Sequence, residues 1–191
     1  MSNDVPDKKA AIIEASLRLF TERGFHGTPT AMISQEAGVS TGTLFRYYPT
    51  KEDLISGTYM LAKQRLAAAI ALGLDEEKTC RGMCRRIWGN MIRWGLENPR
   101  EFLFIDQFNH SPFISRITEE EAMKSYEFLG ALLDEGVASG EMKDIHRGLI
   151  IDLLYHANTA VVKKIMHYGL QKDVDTLIEQ SFSIVWSGIS Q

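Results

Sequence analysis

Apolar residues along this chain recur at three- and four-residue spacing, and no stretch alternates with period two for long enough to make a strand. The pattern predicts an all-α protein, punctuated by prolines at positions 6, 29, 49, 99 and 112. Ile12, Ala15 and Leu19, with Ile13, Leu17 and Phe20, make a broad stripe over about 7–23, which Gly24 stops. Short helices follow over 30–37, entered at Pro29, and over 41–48, ended by Pro49. Thr50, with Glu52 and Asp53 in the next turn, reads as an N-cap opening a long helix to about Leu72. Further helices are predicted over 76–97, 99–109, 118–139, 144–168 and 173–188. Asn98 reads as a cap ahead of Pro99, Thr118 and Glu121 as a capping box, Gly140 as a stop and Asp173 as the last cap. No repeat or low-complexity segment interrupts the series.

The two short helices, joined by Gly38-Val39-Ser40 and preceded by a longer one, make a helix-turn-helix pattern. Ile33, Ala37, Val39, Leu44 and Tyr48 supply a small core, and Gly38 the left-handed residue of the turn. The remaining face carries Thr41, Gly42, Thr43, Phe45, Arg46 and Tyr47, with Lys51 beyond. These residue types suit a major-groove edge. Hydroxyls of Ser40 and Thr41 and the helix-start amides meet phosphate, and Gly42 lets the backbone come close. Thr43 reaches a base edge or a thymine methyl, Arg46 offers a fork to guanine or phosphate, and Tyr47 and Lys51 donate to phosphate.

Charge sharpens this picture. The 191 residues carry 21 Lys+Arg against 25 Asp+Glu, a net charge of −4, which excludes a protein coated in positive charge. Residues 7–51 are nevertheless +2, and residues 52–191 are −5. A 45% hydrophobic and 24% charged composition fits a folded chain. The start, MSNDVPDKKAAI, lacks an apolar segment of signal-peptide length, and no apolar run approaches the roughly 20 residues that span a bilayer. A cytoplasmic location without membrane partners is the expectation.

The run AGVSTGTLFRYYPTKEDL, preceded by AAIIEASLRLFTERGFHGTPTAMISQEAG, resembles the N-terminal domain of the TetR family of bacterial transcriptional regulators over about residues 8–55. The resemblance implies an N-terminal three-helix DNA-binding domain, 1–51, and a larger helical ligand-binding and dimerisation domain, 52–191. It implies a homodimer on double-stranded, palindromic operator DNA, usually a repressor released by a small ligand. Carried over by position, Thr30, Ser40, Thr41, Gly42, Thr43, Phe45, Arg46, Tyr47 and Lys51 fall where the family contacts DNA. Ser34 departs from the usual alanine, placing a hydroxyl against the second short helix or in a local cap, and Pro49 departs from a basic or polar residue that would add a phosphate contact.

Beyond residue 52 the residues themselves carry more of the reading. The 144–168 helix is apolar on two sides, through Leu149, Leu153, Ala157 and Ala160 and through Ile150, Leu154, Val161 and Ile165. Leu177, Ile178, Phe182, Val185 and Trp186 cluster on the last helix. The resemblance implies that these two helices form a four-helix dimer interface; both also suit central core helices. Gly82, Gly89 and Gly95 beside Trp88 and Trp94 suit either a cavity wall or close helix packing. With Tyr59, Lys63, Phe104, Phe108, His110, Phe128, Asp152, Tyr155 and His156 they form a candidate pocket for a small hydrophobic or amphipathic effector. The stretch RIWGNMIRWGLENPREF also resembles RamR-like repressors of multidrug efflux.

Cys80 and Cys84, four apart with no His or carboxylate cluster, read as buried small hydrophobes and not as a metal or redox pair. The alternative class is a helical enzyme or protein-interaction module with a catalytic pocket in the C-terminal domain. A P-loop, a dinucleotide fingerprint, HExxH and GxSxG are all absent, so no enzyme, catalytic residue, cofactor or metal is expected.

Overall fold

The computed structural model describes residues 5–109 and 111–191, with side chains except those of residues 5–7, 116, 117 and 119. The order is α1 (Val5–Arg23), α2 (Thr30–Glu36), α3 (Thr41–Tyr47), α4 (Lys51–Ile70), α5 (Cys80–Glu97), α6 (Pro99–Phe108), α7 (Arg116–Lys124), α8 (Glu127–Ala138), α9 (Arg147–Tyr168) and α10 (Val174–Ile189). Short 3-10 turns cover Leu74–Glu76 and Gln171–Asp173. Among the described residues there is no β-strand, only an isolated antiparallel bridge between Met142 and Ser190. The all-α expectation holds.

Two compact units result: Met1–Gln64 with Pro99–Met123, and Arg65–Asn98 with Lys124–Gln191. In the first, α1 packs on α2 and α6, and α2 on α3. Ile12, Phe20, Ile33, Leu44, Leu54 and Phe104 are fully buried there. Phe20 lies 6.4 Å from Phe104 and 6.3 Å from Phe108, centroid to centroid, and Phe25 stacks on Phe113 at 3.9 Å. Each such ring contributes about 1.5–3 kcal/mol by leaving water.

In the second unit α5 packs on α8, α9 and α10. The Gly89 backbone admits Ile178 of α10; a Cβ there would stand 3.4 Å from Ile178 Cγ2. Asn158 Nδ2 donates to the Trp88 carbonyl at 3.0 Å, and Trp88 Nε1 donates to Ser181 Oγ at 2.9 Å, tying α9 and α10 to α5. Arg85–Glu179 and Arg93–Asp175 ion pairs lie along the α5–α10 seam. Lys143 N–H donates to the Ile189 carbonyl at 2.9 Å, and Gln191 N–H to that of Glu141 at 3.2 Å, extending the Met142–Ser190 bridge.

Several helix boundaries and caps differ from the sequence expectation. The single helix over 118–139 is two, α7 and α8, because the chain turns at Ser125 and Tyr126 and buries the Tyr126 side chain. Thr118 does not cap; its own N–H is held by Ser115 Oγ at 3.1 Å, three residues earlier. Asn98 also closes the end of α5, its Nδ2 donating to the Trp94 carbonyl at 3.0 Å. The helix expected from 76 begins at Cys80, where Thr79 Oγ1 accepts from Gly82 N–H at 3.0 Å. Asp173 precedes α10 without a side-chain cap bond.

Candidate nucleic-acid interface

The reader is built on a turn that only one backbone conformation closes. Gly38 has φ +65°, and Val39 N–H reaches back to the Ser34 carbonyl at 2.9 Å. Ser40 caps α3: its Oγ accepts from Thr43 N–H at 3.1 Å and lies 2.9 Å from Thr43 Oγ1. Ser34, the departure from alanine, donates to the Ala31 carbonyl and lies 3.1 Å from Thr41 Oγ1, so a hydroxyl pair joins α2 to α3. Arg18 of α1 holds Glu36 of α2 at 2.6 Å, closing the third side.

Leu44 and Tyr48 turn inward. Leu44 is fully buried, and the Tyr48 ring seats on the Gly57 backbone of α4, where a Cβ would come within 2.6 Å of ring carbon Cε1. Burial pushes the Tyr48 phenol pKa up. Ser40, Thr41, Gly42, Phe45 and Arg46 are exposed, and Thr30, Thr43 and Tyr47 half-buried. Phe45, 40% exposed, is a large apolar ring on an otherwise polar face. The Arg46 guanidinium lies 5.8 Å from the centroid of the Tyr47 ring. Three of the hydroxyls on this face already make intramolecular bonds; each keeps capacity for a further partner.

Lys51 stands apart. Its ammonium donates to the Phe25 carbonyl and lies 4.2 Å from the Phe25 ring centroid, and burial lowers its pKa against the opposing pull of Glu52. Two N–H donors remain for another acceptor. Thr50 and Asp53 cap each other at the start of α4: Asp53 N–H donates to Thr50 Oγ1 at 3.0 Å and Thr50 N–H to Asp53 Oδ2 at 3.0 Å. Phe25 and Gly57 were not read as functional from sequence. An aromatic after a helix stop and a lone glycine inside a helix are the signals that point to them.

The effector candidates divide between the units. In the first, Tyr59, Lys63, Phe104 and Phe108 are buried, Tyr59 Oη donates to Asn109 Oδ1 at 2.6 Å, and Lys63 Nζ lies 5.9 Å from the Tyr59 ring centroid. In the second, Trp88 and Trp94 are buried, Phe128 and Tyr155 half-buried, and Asp152 and His156 exposed. His110 lies outside the described residues. An open cleft of ≈ 370 Å³ in the second unit is walled by Leu133, Val137, Met142, His146 and Ile150, and none of these candidates lines it. Sequence reasoning passed over Asn158 Oδ1 and Thr159 Oγ1, both buried and without a hydrogen-bond partner among the described residues.

No helix among the described residues is long and apolar enough to cross a membrane. The family described as bacterial regulatory proteins, tetR family, matches residues 12–57, and the tetracyclin repressor-like C-terminal domain matches residues 60–191. A tetR family transcription regulator from Shewanella sp. PV-4 has 30% sequence identity and a TM-score of 0.90, with 96% of this chain and 98% of that one covered. The fatty acid metabolism regulator protein of Bacillus subtilis (strain 168) is 24% identical over 140 residues, 72% of each chain. The structure of the regulator FadR from Bacillus subtilis in complex with stearoyl-CoA shares the fold, at 20% identity and a TM-score of 0.79, over 95% of this chain and 99% of that one. With both of its segments matched and the reader assembled as described, the chain belongs to the tetR family and is a DNA-binding transcriptional regulator.

Proposed function

We propose that the protein is a homodimeric repressor that leaves a palindromic operator when a small amphipathic ligand of fatty-acyl chemistry binds it. In this reading residues 1–51 bind DNA, residues 52–191 bind ligand and dimerise, and the protein works in the cytoplasm without catalysing a reaction. The exposed face of α3 is the observation that carries the DNA half: Thr41, Thr43, Phe45 and Arg46 point away from the buried Leu44 and Tyr48, with Ser40, Tyr47 and Lys51 flanking them toward phosphate. Thr30 and Gly42 complete the contact set.

Dimerisation through α9 and α10 is supported by large apolar side chains left in water. Leu149 and Leu153 on α9 are 52% and 60% exposed, and Ile184 on α10 is 73% exposed. Reading two half-sites of a palindrome requires the two copies of α3 to stand about 34–36 Å apart, one helical turn of DNA. Ligand binding then acts by favouring a dimer whose spacing no longer matches.

The ligand class rests on the B. subtilis relative that regulates fatty acid metabolism and on the aromatic side chains within each unit, Trp88, Trp94 and Phe128 in the second and Phe104 and Phe108 in the first. Tyr59 and Lys63 are separate candidates within the first unit; within the second, Asp152, Tyr155 and His156 are the polar groups proposed for its head. The orphaned Asn158 Oδ1 and Thr159 Oγ1 join them, since a ligand group satisfies buried polar atoms that the protein leaves unpaired. The test is retention of the protein's own upstream DNA, measured by fluorescence anisotropy with and without oleoyl-CoA or oleate. Specific, salt-sensitive retention that either ligand abolishes supports the reading. Binding unaffected by both, with no change in tryptophan emission, removes the ligand class; absence of specific retention removes the repressor.

A further inference from the structure

Ser34 on α2 is 3% exposed, and its hydroxyl bonds in two directions. Its Oγ donates to the Ala31 carbonyl at 3.0 Å, and the same oxygen lies 3.1 Å from Oγ1 of Thr41, the first residue of α3. A carbonyl can only accept, and a serine hydroxyl has one proton. Both contacts are hydrogen bonds in one order alone: Thr41 donates to Ser34, and Ser34 donates to the Ala31 carbonyl.

The neighbouring hydroxyl pair is not fixed in this way. Ser40 Oγ accepts from Thr43 N–H at 3.1 Å and lies 2.9 Å from Thr43 Oγ1, and either hydroxyl can be the donor between them. That pair can turn a proton outward. Thr41 cannot, yet it is exposed on the outer side of α3. It offers a lone pair and no proton to whatever docks there. A phosphate oxygen also offers only lone pairs, so a direct hydrogen bond between the two has no proton to share. In the major groove adenine N6 and cytosine N4 are donors, whereas guanine O6 and thymine O4 accept.

We propose that Ser34 is a specificity-determining residue: by taking the Thr41 proton it makes Thr41 Oγ1 an acceptor that reads an amino-bearing base, adenine or cytosine, at one position of each half-site. The inference rests on the reading that α3 enters the major groove. A hydroxyl that donates is also the better acceptor, because aligned hydrogen bonds polarise one another. The Ala31 carbonyl anchors the chain, Ser34 relays it, and Thr41 delivers it to the groove. An alanine at 34 would leave the Thr41 hydroxyl free to turn, and to donate to phosphate or to a keto oxygen instead. Ser34 is buried and acts on DNA only through Thr41.

The test selects sites for the whole chain from a randomised operator library, then measures anisotropy on the selected site. Copies of that site carry purine for the read adenine, or 2-pyrimidinone for the read cytosine, and lack only the amino group. The unaltered protein is expected to select adenine or cytosine at the position and to lose about fivefold in affinity with the amino group, the worth of one neutral hydrogen bond. Thr41→Val keeps the branched shape and is expected to lose both the preference and the response to the missing amino group. Ser34→Ala is expected to admit guanine or thymine there, and to change nothing further in the Thr41→Val background. A Ser34→Ala protein that binds all sequences more weakly with its preference intact overturns the inference, as does an unaltered protein indifferent to the amino group. The second measurement stands even if a variant fails to fold. If Arg46→Ala or Thr43→Ala shifts preference while Ser34→Ala and Thr41→Val do not, this inference alone fails; if none of the four does, the α3 reading fails with it.

Discussion

The Lys51 ammonium lies 4.2 Å from the centroid of the Phe25 ring and donates to the Phe25 carbonyl, so the first residue of α4 is fastened to the turn that follows α1. The same lysine is assigned to the DNA backbone. Lys51→Met keeps the aliphatic stem against Phe25 and removes the charge. It is expected to weaken binding to every DNA sequence and to reduce the salt slope by about 1. Phe25→Leu releases the ammonium and is expected to lower operator affinity without changing base preference. Anisotropy across a salt series reads both, and an unaltered slope for Lys51→Met removes the residue from the interface.

Side chains on α3 separate by what they read. Tyr47→Phe is expected to weaken all sequences alike. Arg46→Ala or Thr43→Ala is expected to relax preference at one operator position each, by about 1–3 kcal/mol where a bidentate base contact is lost. Selection from a randomised operator library distinguishes these outcomes. Unchanged preference in both alanine variants would move the reading edge elsewhere.

A charge on each exposed apolar face tests the dimer. Leu153→Glu combined with Ile184→Glu puts carboxylates where the proposed four-helix interface closes, while in the single chain both positions face water. Sedimentation is expected to show a monomer with unchanged helicity and lost operator retention. A dimer that survives both changes places the interface on other helices.

Alkaline pH is expected to destabilise the fold. Burial raises the pKa of Cys84, Cys80 and Tyr48 above their ordinary 9.0, 9.0 and 10.0. Once the unfolded chain begins to lose these protons the folded chain still holds them. The stability is fully present below about pH 9 and is lost as pH rises through the raised folded values. Lys51 works the other way: its lowered pKa makes stability rise with pH below its ordinary 10.5. Three groups oppose one, so the denaturation midpoint is expected to fall between about pH 8 and about pH 10, less steeply in Cys84→Ser. A flat profile contradicts the burial of these groups.

Thr159→Val removes a buried hydroxyl that has no partner among the described residues, at almost constant volume. Stability is expected to stay level or to rise by about 1 kcal/mol, and the response to oleoyl-CoA to weaken. Thermal unfolding and anisotropy check the two halves. A loss of stability would mean that the hydroxyl is satisfied in solution.

The reader was legible in the sequence because its signals are local. Gly38 demands a left-handed residue, Ser40 and Thr50 cap within three residues, and Leu44 and Tyr48 fall at helical spacing. What the sequence hid depends on distant partners or on competing local ones. Asn98 stands where one helix ends and the next begins, and its bond to the Trp94 carbonyl at the end of α5 is not legible from a start signal. Thr118-x-x-Glu121 matches a capping box, but Ser115 offered the earlier cap. The break at Tyr126 follows from burying its ring, which no window of neighbouring residues announces. Cys80 and Cys84 read as buried small hydrophobes, and the Met142 sulfur that Cys80 touches comes from another element.

The unit that contains the reader draws on Pro99–Met123 as well as on the residues before Gln64. A fragment cut at Gln64 would strip Phe20 and Phe25 of Phe104, Phe108 and Phe113 and leave a sticky aromatic surface in water. The portable part of this protein is therefore discontinuous in the gene. A chimera meant to graft its DNA specificity onto a relative must splice in two separate stretches, and one that moves only the first inherits a partner helix shaped for somebody else's rings.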